Sequence, residues 1–131
     1  PFRIGITYLY SRDKRAIDYL LTAYELYPEN PNILLWLSVA YVYVPKDIAK
    51  AKYYLNIANK ANANDLDLSF AEGVIELSMG NKSKAEEYFS KLTFYNEVYK
   101  ELDSMPNSYA EGRYALQIKI IRDLTKEIGG D

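Results

Sequence analysis

Asp65-x-Asp67-x-Ser69, with Glu76 eleven residues beyond Asp65, offers oxygen donors at a spacing that loosely mimics a calcium loop. Such a loop requires glycine at its sharp turn, and Phe70 stands there instead. The segment also falls at the expected start of a helix, where acidic residues favour the macrodipole, so capping is the stronger reading. Glu86 and Glu87 form the other notable carboxylate pair, and their pattern is that of a solvated helix face. Beyond these, the chemistry is bounded by the residue types that are missing. The chain has no cysteine and no histidine. That excludes disulfides and thiolate zinc sites, and removes the commonest metal ligand and general base. Nucleophilic triads lose their usual base as well. No catalytic, cofactor-binding or metal-binding residue is assigned, and the expectation is a protein that binds rather than one that catalyses.

The elements that would position a binding surface come next. The 131 residues make about one ordinary domain. A chain of that length buries roughly two-thirds of its unfolded surface without staples. Sixteen basic against eighteen acidic residues give a net charge of -2. The electrostatic footprint of a nucleic-acid binder is absent, and no apolar run approaches the ~18 to 20 residues that span a bilayer. The chain opens on Pro1 rather than Met. The expectation is that the natural start has been removed, together with any signal or anchor, which leaves a cytoplasmic and an exported location both open. Tyrosine is abundant, at fourteen residues, and glycine and proline are few, which suits helices.

A short motif recurs. Residues 15–25 read RAIDYLLTAYE, residues 50–60 KAKYYLNIANK and residues 84–94 KAEEYFSKLTF. Ala16, Ala51 and Ala85 are 35 and 34 residues apart. Tyr19, Tyr54 and Tyr88 keep that spacing, as do Leu20, Leu55 and Phe89, then Ala23, Ala58 and Leu92, and the basic Arg15, Lys50 and Lys84. Small residues (Gly5, Ser38, Gly73) recur where helices must approach, and large ones (Tyr8, Tyr41) where a gap must be filled. A period near 34 built of paired helical patterns is the signature of a helix–turn–helix solenoid. Helices are predicted at about 2–10, 13–27, 31–44, 47–61, 66–79 and 82–95, with Asp65 and Asn81 as N-caps.

These residues resemble the tetratricopeptide repeat family. Ile4-Gly5-x-x-Tyr8, Ala16-x-x-x-Leu20 and a closing Pro28 follow the family pattern in the first unit, and Leu37-Ser38-x-x-Tyr41 with Ala51-x-x-x-Leu55 in the second. In the third, Gly80 and Ala85-x-x-x-Phe89 fit, while Glu72-Gly73-x-x-Glu76 departs by lacking the tyrosine. The closing Pro is missing after units two and three, and one extra residue lies near Pro45. The resemblance implies an all-α, right-handed superhelical solenoid of antiparallel helix pairs, with units at 1–28, 31–63 and 66–95, followed by a C-terminal helical cap at 96–131.

The resemblance also implies a function: a non-catalytic scaffold for protein–protein interaction. In the family the first helix of each pair lines a concave groove that holds partner peptides. Carried over residue by residue, that groove consists of Ile6, Leu9 and Tyr10, then Leu35, Val39, Val42 and Tyr43, then Phe70, Val74, Leu77 and Ser78. Trp36 stands either at its edge as an anchor or in packing between helices. The lining is aliphatic and aromatic, which argues against the Lys, Arg and Asn clamp used for C-terminal carboxylates. The expected partner is an amphipathic helix or an extended apolar peptide. Bacterial members of the family often serve envelope assembly, pilus biogenesis or secretion, and nothing in these residues selects among those roles.

The C-terminal part carries no repeat. Ser104-Met-Pro-Asn107 reads as a turn, before which residues 96–103 extend the sixth helix or form a short one. A long helix is predicted over about 108–128, opened by a Ser108–Glu111 capping box and ended by Gly129–Gly130. One face carries Ala110, Tyr114, Ile118, Ile120, Ile121, Leu124 and Ile128, and the other Glu111, Lys119, Arg122, Lys126 and Glu127, with Gln117 inside the apolar arc. Three uses are open to it: capping the solenoid, folding back to fill the groove, or pairing with its copy in a homodimer. Membrane attachment is disfavoured, because the polar face mixes both charges.

Overall fold

The computed structural model describes residues 1–93, 95 and 114–129. Among these the regular structure is entirely helical: α1 (Phe2–Tyr10), α2 (Arg15–Leu26), α3 (Pro31–Tyr43), α4 (Ile48–Lys60), α5 (Asp65–Ser78), α6 (Lys82–Phe89) and α7 (Ala115–Gly129). The first six lie where the hydrophobic period predicts them, apart from the end of α6. That helix stops at Phe89 rather than 95: residues 90 and 91 turn, and the Ser90 hydroxyl donates to the Glu87 carbonyl at 2.7 Å. The predictions for 96–103, the turn at 104–107, and the capping box with Ala110 all lie outside the described residues.

Local chemistry starts the helices. The Asn30 side chain accepts from the backbone N–H groups of Asn32 and Ile33, with Pro31 at the first helical position. Asp47 accepts from the Lys50 N–H. At α5 the cap is Asn64, which accepts from Leu66 and Asp67, and not Asp65. Asn64 holds an extended backbone (φ -58°, ψ 137°) that lets its short side chain turn back, whereas Asp65 is already helical. Asn81 stands at the N-cap position of α6 without capping it, because its amide donates to Glu76 Oε2 at 2.8 Å.

The turns inside the three hairpins are built alike from unlike residues. Arg12, Lys46 and Gly80 all have positive φ, at 54°, 56° and 86°. They are spaced 34 residues apart. After each, the next N–H reaches back to a carbonyl of the first helix: Asp13 to Tyr8 at 3.0 Å, Asp47 to Tyr41 at 2.8 Å and Asn81 to Glu76 at 3.0 Å. This is the left-handed helix ending that satisfies otherwise orphaned carbonyls. The middle bond spans one residue more than the others, and so accommodates the extra residue near Pro45.

Packing repeats in the same way. The closest helix pairs are α1 with α2, α3 with α4 and α5 with α6, and α3 also packs on α2 and α5. Having neighbours on several sides, α3 buries ten of its thirteen residues, from Ile33 round to Tyr43. The small positions permit the close approach. A Cβ on Gly5 would come within 2.9 Å of Leu20 Cγ, and one on Gly73 would enter the Phe89 ring. Ser38 spends its buried hydroxyl on the Ala51 carbonyl at 2.7 Å. Tyr8 stacks on Tyr19 and Tyr41 on Tyr54, each with ring centroids 5.5 Å apart. The in-phase cations cover these positions: Arg15 lies 4.4 Å from the Tyr8 ring centroid and Lys50 5.5 Å from that of Tyr41. Where the third unit has Glu76 in place of tyrosine, Lys84 forms an ion pair with it at 3.6 Å.

Candidate functional site

Of the residues carried over as groove-lining, Leu9, Leu35, Val39, Val42, Tyr43, Phe70, Val74, Leu77 and Ser78 are buried. Ile6 and Trp36 are partly buried against the same core, and Tyr10 is 41% exposed. Most of these residues are therefore buried rather than open to solvent. Part of that burial comes from α3 packing on α5, with Trp36 and Phe70 rings 6.0 Å apart. The C-terminal helix α7 packs on α5 as well, and reaches α3 and the α1–α2 turn with its side chains.

The apolar side of α7 is largely the one read from the sequence. Ile118, Ile120, Ile121 and Leu124 are buried and Ile128 packs against the core. Two details differ. Ala115 and Leu116 are buried as well, while Tyr114 is exposed. Tyr114 is the residue before the first turn of α7, so the helical wheel does not govern where its ring goes. Gln117 is half-exposed and so tolerable at the edge of the apolar arc.

A polar clamp fixes α7 to the repeats. Its centre is Tyr43, at the end of α3, whose side chain is fully buried. The Tyr43 hydroxyl donates to the Asp123 carboxylate and accepts from Lys119 Nζ at 2.7 Å. Lys119 and Asp123, one turn apart on α7, also pair with each other at 2.9 Å. From the first turn, Arg12 Nε donates to the Tyr43 carbonyl at 2.7 Å, its guanidinium lies 4.4 Å from the Tyr43 ring centroid, and it forms an ion pair with Glu127. One arginine thus ties α1–α2, α3 and α7 together.

The electrostatics follow from this geometry. Burial, helped by the hydrogen bond to Asp123, pushes the Tyr43 phenol well above its ordinary range, so it is a neutral donor at physiological pH. Burial alone would raise the Asp123 carboxyl, but hydrogen bonds from Tyr43 and Lys119 outweigh it and hold the group below its usual value. The hydrogen bond with Glu127 raises Arg12 further. This arrangement holds one helix against others; it contains no activated nucleophile. Among the described residues, no group of three or more acidic side chains could hold a metal ion. Asp65 and Asp67 lie on the first turn of α5, where the backbone is helical rather than looped. Nor, among the described residues, is any helix long and apolar enough to cross a membrane.

Sequence reasoning found the apolar partners but missed the clamp. Arg12 lies in a turn whose sequence differs in every unit, and Glu127 is 115 residues away from it. The one legible signal was the Lys119–Asp123 spacing of four. The chain matches no protein-family model, no curated protein and no solved structure.

Proposed function

We propose that this chain is a non-catalytic protein–protein interaction scaffold, a right-handed solenoid of three tetratricopeptide-type hairpins whose concave apolar face is made to hold an amphipathic helix. In the chain by itself, α7 is that helix. The single observation carrying this reading is the clamp on Tyr43: an amphipathic helix lies on the apolar face of the repeats, and its polar side is fixed by Lys119, Asp123 and Glu127. Helix-in-groove recognition has this form, with apolar anchors giving affinity and polar contacts fixing the register. A partner helix with the same pattern competes with α7 for the face. The face serves equally an α7 from a second copy, which would give a homodimer by exchange of identical elements.

The test uses a peptide of residues 114–129 and the full chain carrying Ile120→Glu. Ile120 is fully buried on α7, so a carboxylate there expels the helix. The expected result is saturable binding of the peptide in trans to the helical variant and much weaker binding to the parent chain. A variant that keeps its helicity and binds no peptide sinks the proposal. Doubling of the parent's mass with concentration, in sedimentation equilibrium, moves the reading to the exchanged dimer.

A further inference from the structure

The two junctions between successive hairpins are built from the same backbone positions but from opposite chemistry. At the first junction, Ile17, Leu21, Tyr24, Leu37 and Tyr41 fill the space between α2 and the α3–α4 hairpin. Leu37 and Tyr41 are buried, the other three are packed against the core, and Tyr24 meets Tyr54 edge-on with centroids 5.7 Å apart. Thirty-five residues on, the same positions are Lys52, Asn56, Asn59, Glu72 and Glu76. Every apolar filler has become polar or charged, while the frame around them persists: Leu20 answers to Leu55, Tyr54 to Tyr88 and Lys50 to Lys84. The outcome is a cleft of about 450 Å³ between α4 and the α5–α6 hairpin, lined by all five of the substituted positions.

The lining is unevenly satisfied. Glu76 has partners: Asn81 Nδ2 donates to it at 2.8 Å and Lys84 Nζ lies at 3.6 Å. Glu72, one turn earlier on α5, is half-buried, and among the described residues it makes neither a hydrogen bond nor an ion pair. Its carboxyl is raised by burial and by the neighbouring Glu76, against the opposing pull of Lys84 and Lys52. Lys52 stands exposed, and Lys84 is already engaged. Lys52, at the exposed rim, forms no ion pair with Glu72, so the half-buried carboxylate is the group of the lining that lacks a fixed counter-charge. The site is distinct from the face covered by α7, since it lies on α4, α5 and α6 and shares none of the clamp residues.

We propose that the cleft between the second and third hairpins binds an organic cation, an ammonium or guanidinium group, with Glu72 as its counter-ion and the Asn56 and Asn59 carboxamides as hydrogen-bonding partners. A basic side chain of a partner peptide and a free polyamine share this chemistry. Because burying a carboxylate without a partner costs free energy, the cation that restores the pairing binds selectively there.

The experiment is an amide chemical-shift titration of the full chain with three probes: N-acetyl-arginine amide, spermidine and, as the anionic control, glutarate. The expected result is saturable shifts from either cation confined to residues 52–59, 68–76 and 84–88, with glutarate inert. Whichever cation binds more tightly identifies the source, a peptide side chain or a free polyamine. Glu72→Gln keeps the shape, removes a charge that burial disfavours, and is expected to fold while weakening the cation at least tenfold. A second variant, Asn59→Tyr with Glu72→Leu, restores the fillers of the first junction; it is expected to abolish binding and to raise the melting temperature. Shifts that never saturate, equal binding to Glu72→Gln, or preferential binding of glutarate would each overturn the proposal.

Discussion

Tyr43 and Asp123 are 80 residues apart in sequence and joined by a hydrogen bond in the fold, donated by the phenol to the carboxylate. The bond links the end of the central helix α3 to the middle of α7, and Lys119 completes it from one turn away. Tyr43→Phe keeps the ring and its contact with Arg12, and removes only the hydroxyl. Hydrogen bonds to charged groups contribute about 1.5 to 3 kcal/mol, so the variant is expected to lose about 2 kcal/mol of stability. Urea denaturation measures the loss; a midpoint within error of the parent's would show that the clamp contributes nothing.

The same tyrosine sets the alkaline limit. Its folded pKa is raised above the ordinary 10.0, so its contribution is fully present below pH 10 and is lost as pH climbs from there toward the folded value. Tyr41 and Tyr54 are raised too, chiefly by burial, and act in the same direction. Melting temperature should fall above pH 10 in the parent, and more gently in Tyr43→Phe. Asp123 works at the other end: its folded pKa is lowered, so its contribution is present above the ordinary 3.8 and is lost as pH falls below that. Asp123→Asn should flatten the acid limb of the same curve.

Arg12 is a residue of two roles. Its backbone sits at φ 54°, where a Cβ is disfavoured, and its side chain carries three of the clamp's contacts. Arg12→Ala loses the contacts and keeps the strain; Arg12→Gly loses the contacts and relieves it. Left-handed backbone costs a non-glycine residue roughly 1 to 2 kcal/mol, so glycine should be the more stable variant by about 1 kcal/mol. Both should expose α7 equally to hydrogen exchange. Were alanine the more stable, helix propensity rather than turn strain would govern this position.

Gly5 and Gly73 occupy equivalent places but predict different outcomes for alanine. Alanine is favoured over glycine in a helix by about 1 kcal/mol, against which stands the cost of overpacking, typically about 1 to 3 kcal/mol. At Gly73 the new methyl would enter a buried ring, Phe89, which is itself packed on Phe70 and Tyr95. Gly73→Ala should destabilise by about 2 kcal/mol and be partly rescued by Phe89→Leu. At Gly5 the nearest atoms are Leu20 Cγ and Cδ2 at 2.9 and 3.0 Å, a milder overlap than at Gly73, and the net effect should be under about 1 kcal/mol. Thermal melts of the three variants check this, and equal losses at both glycines would refute it.

The amino-acid order alone determined the helices and their pairing positions. Alanine, tyrosine and leucine recurring at 34 and 35 residues placed six helices and named the residues that meet inside each hairpin. It did so because helix periodicity and the need to fill gaps between helices act over a few residues and leave a residue-type trace. The in-phase Arg15, Lys50 and Lys84 were visible too, although their role over Tyr8, Tyr41 and Glu76 was not. Likewise the apolar residues from Leu9 to Leu77 could be listed, but that most of them are buried could not.

Only the tertiary structure decided three things. The shared turn geometry of Arg12, Lys46 and Gly80 is a backbone property, adopted by two long cations and one glycine, so no single residue type marks it. Asn64 rather than Asp65 caps α5 because the choice depends on which residue leaves the helical backbone, a matter of one ψ angle. The docking of α7 rests on Tyr43, Arg12, Asp123 and Glu127, contributed by three parts of the chain. Contacts at sequence separations of 80 and 115 leave no period to read. They exist because burying the apolar side of α7 brings those polar groups within reach of one another, and burial is a property of the whole fold.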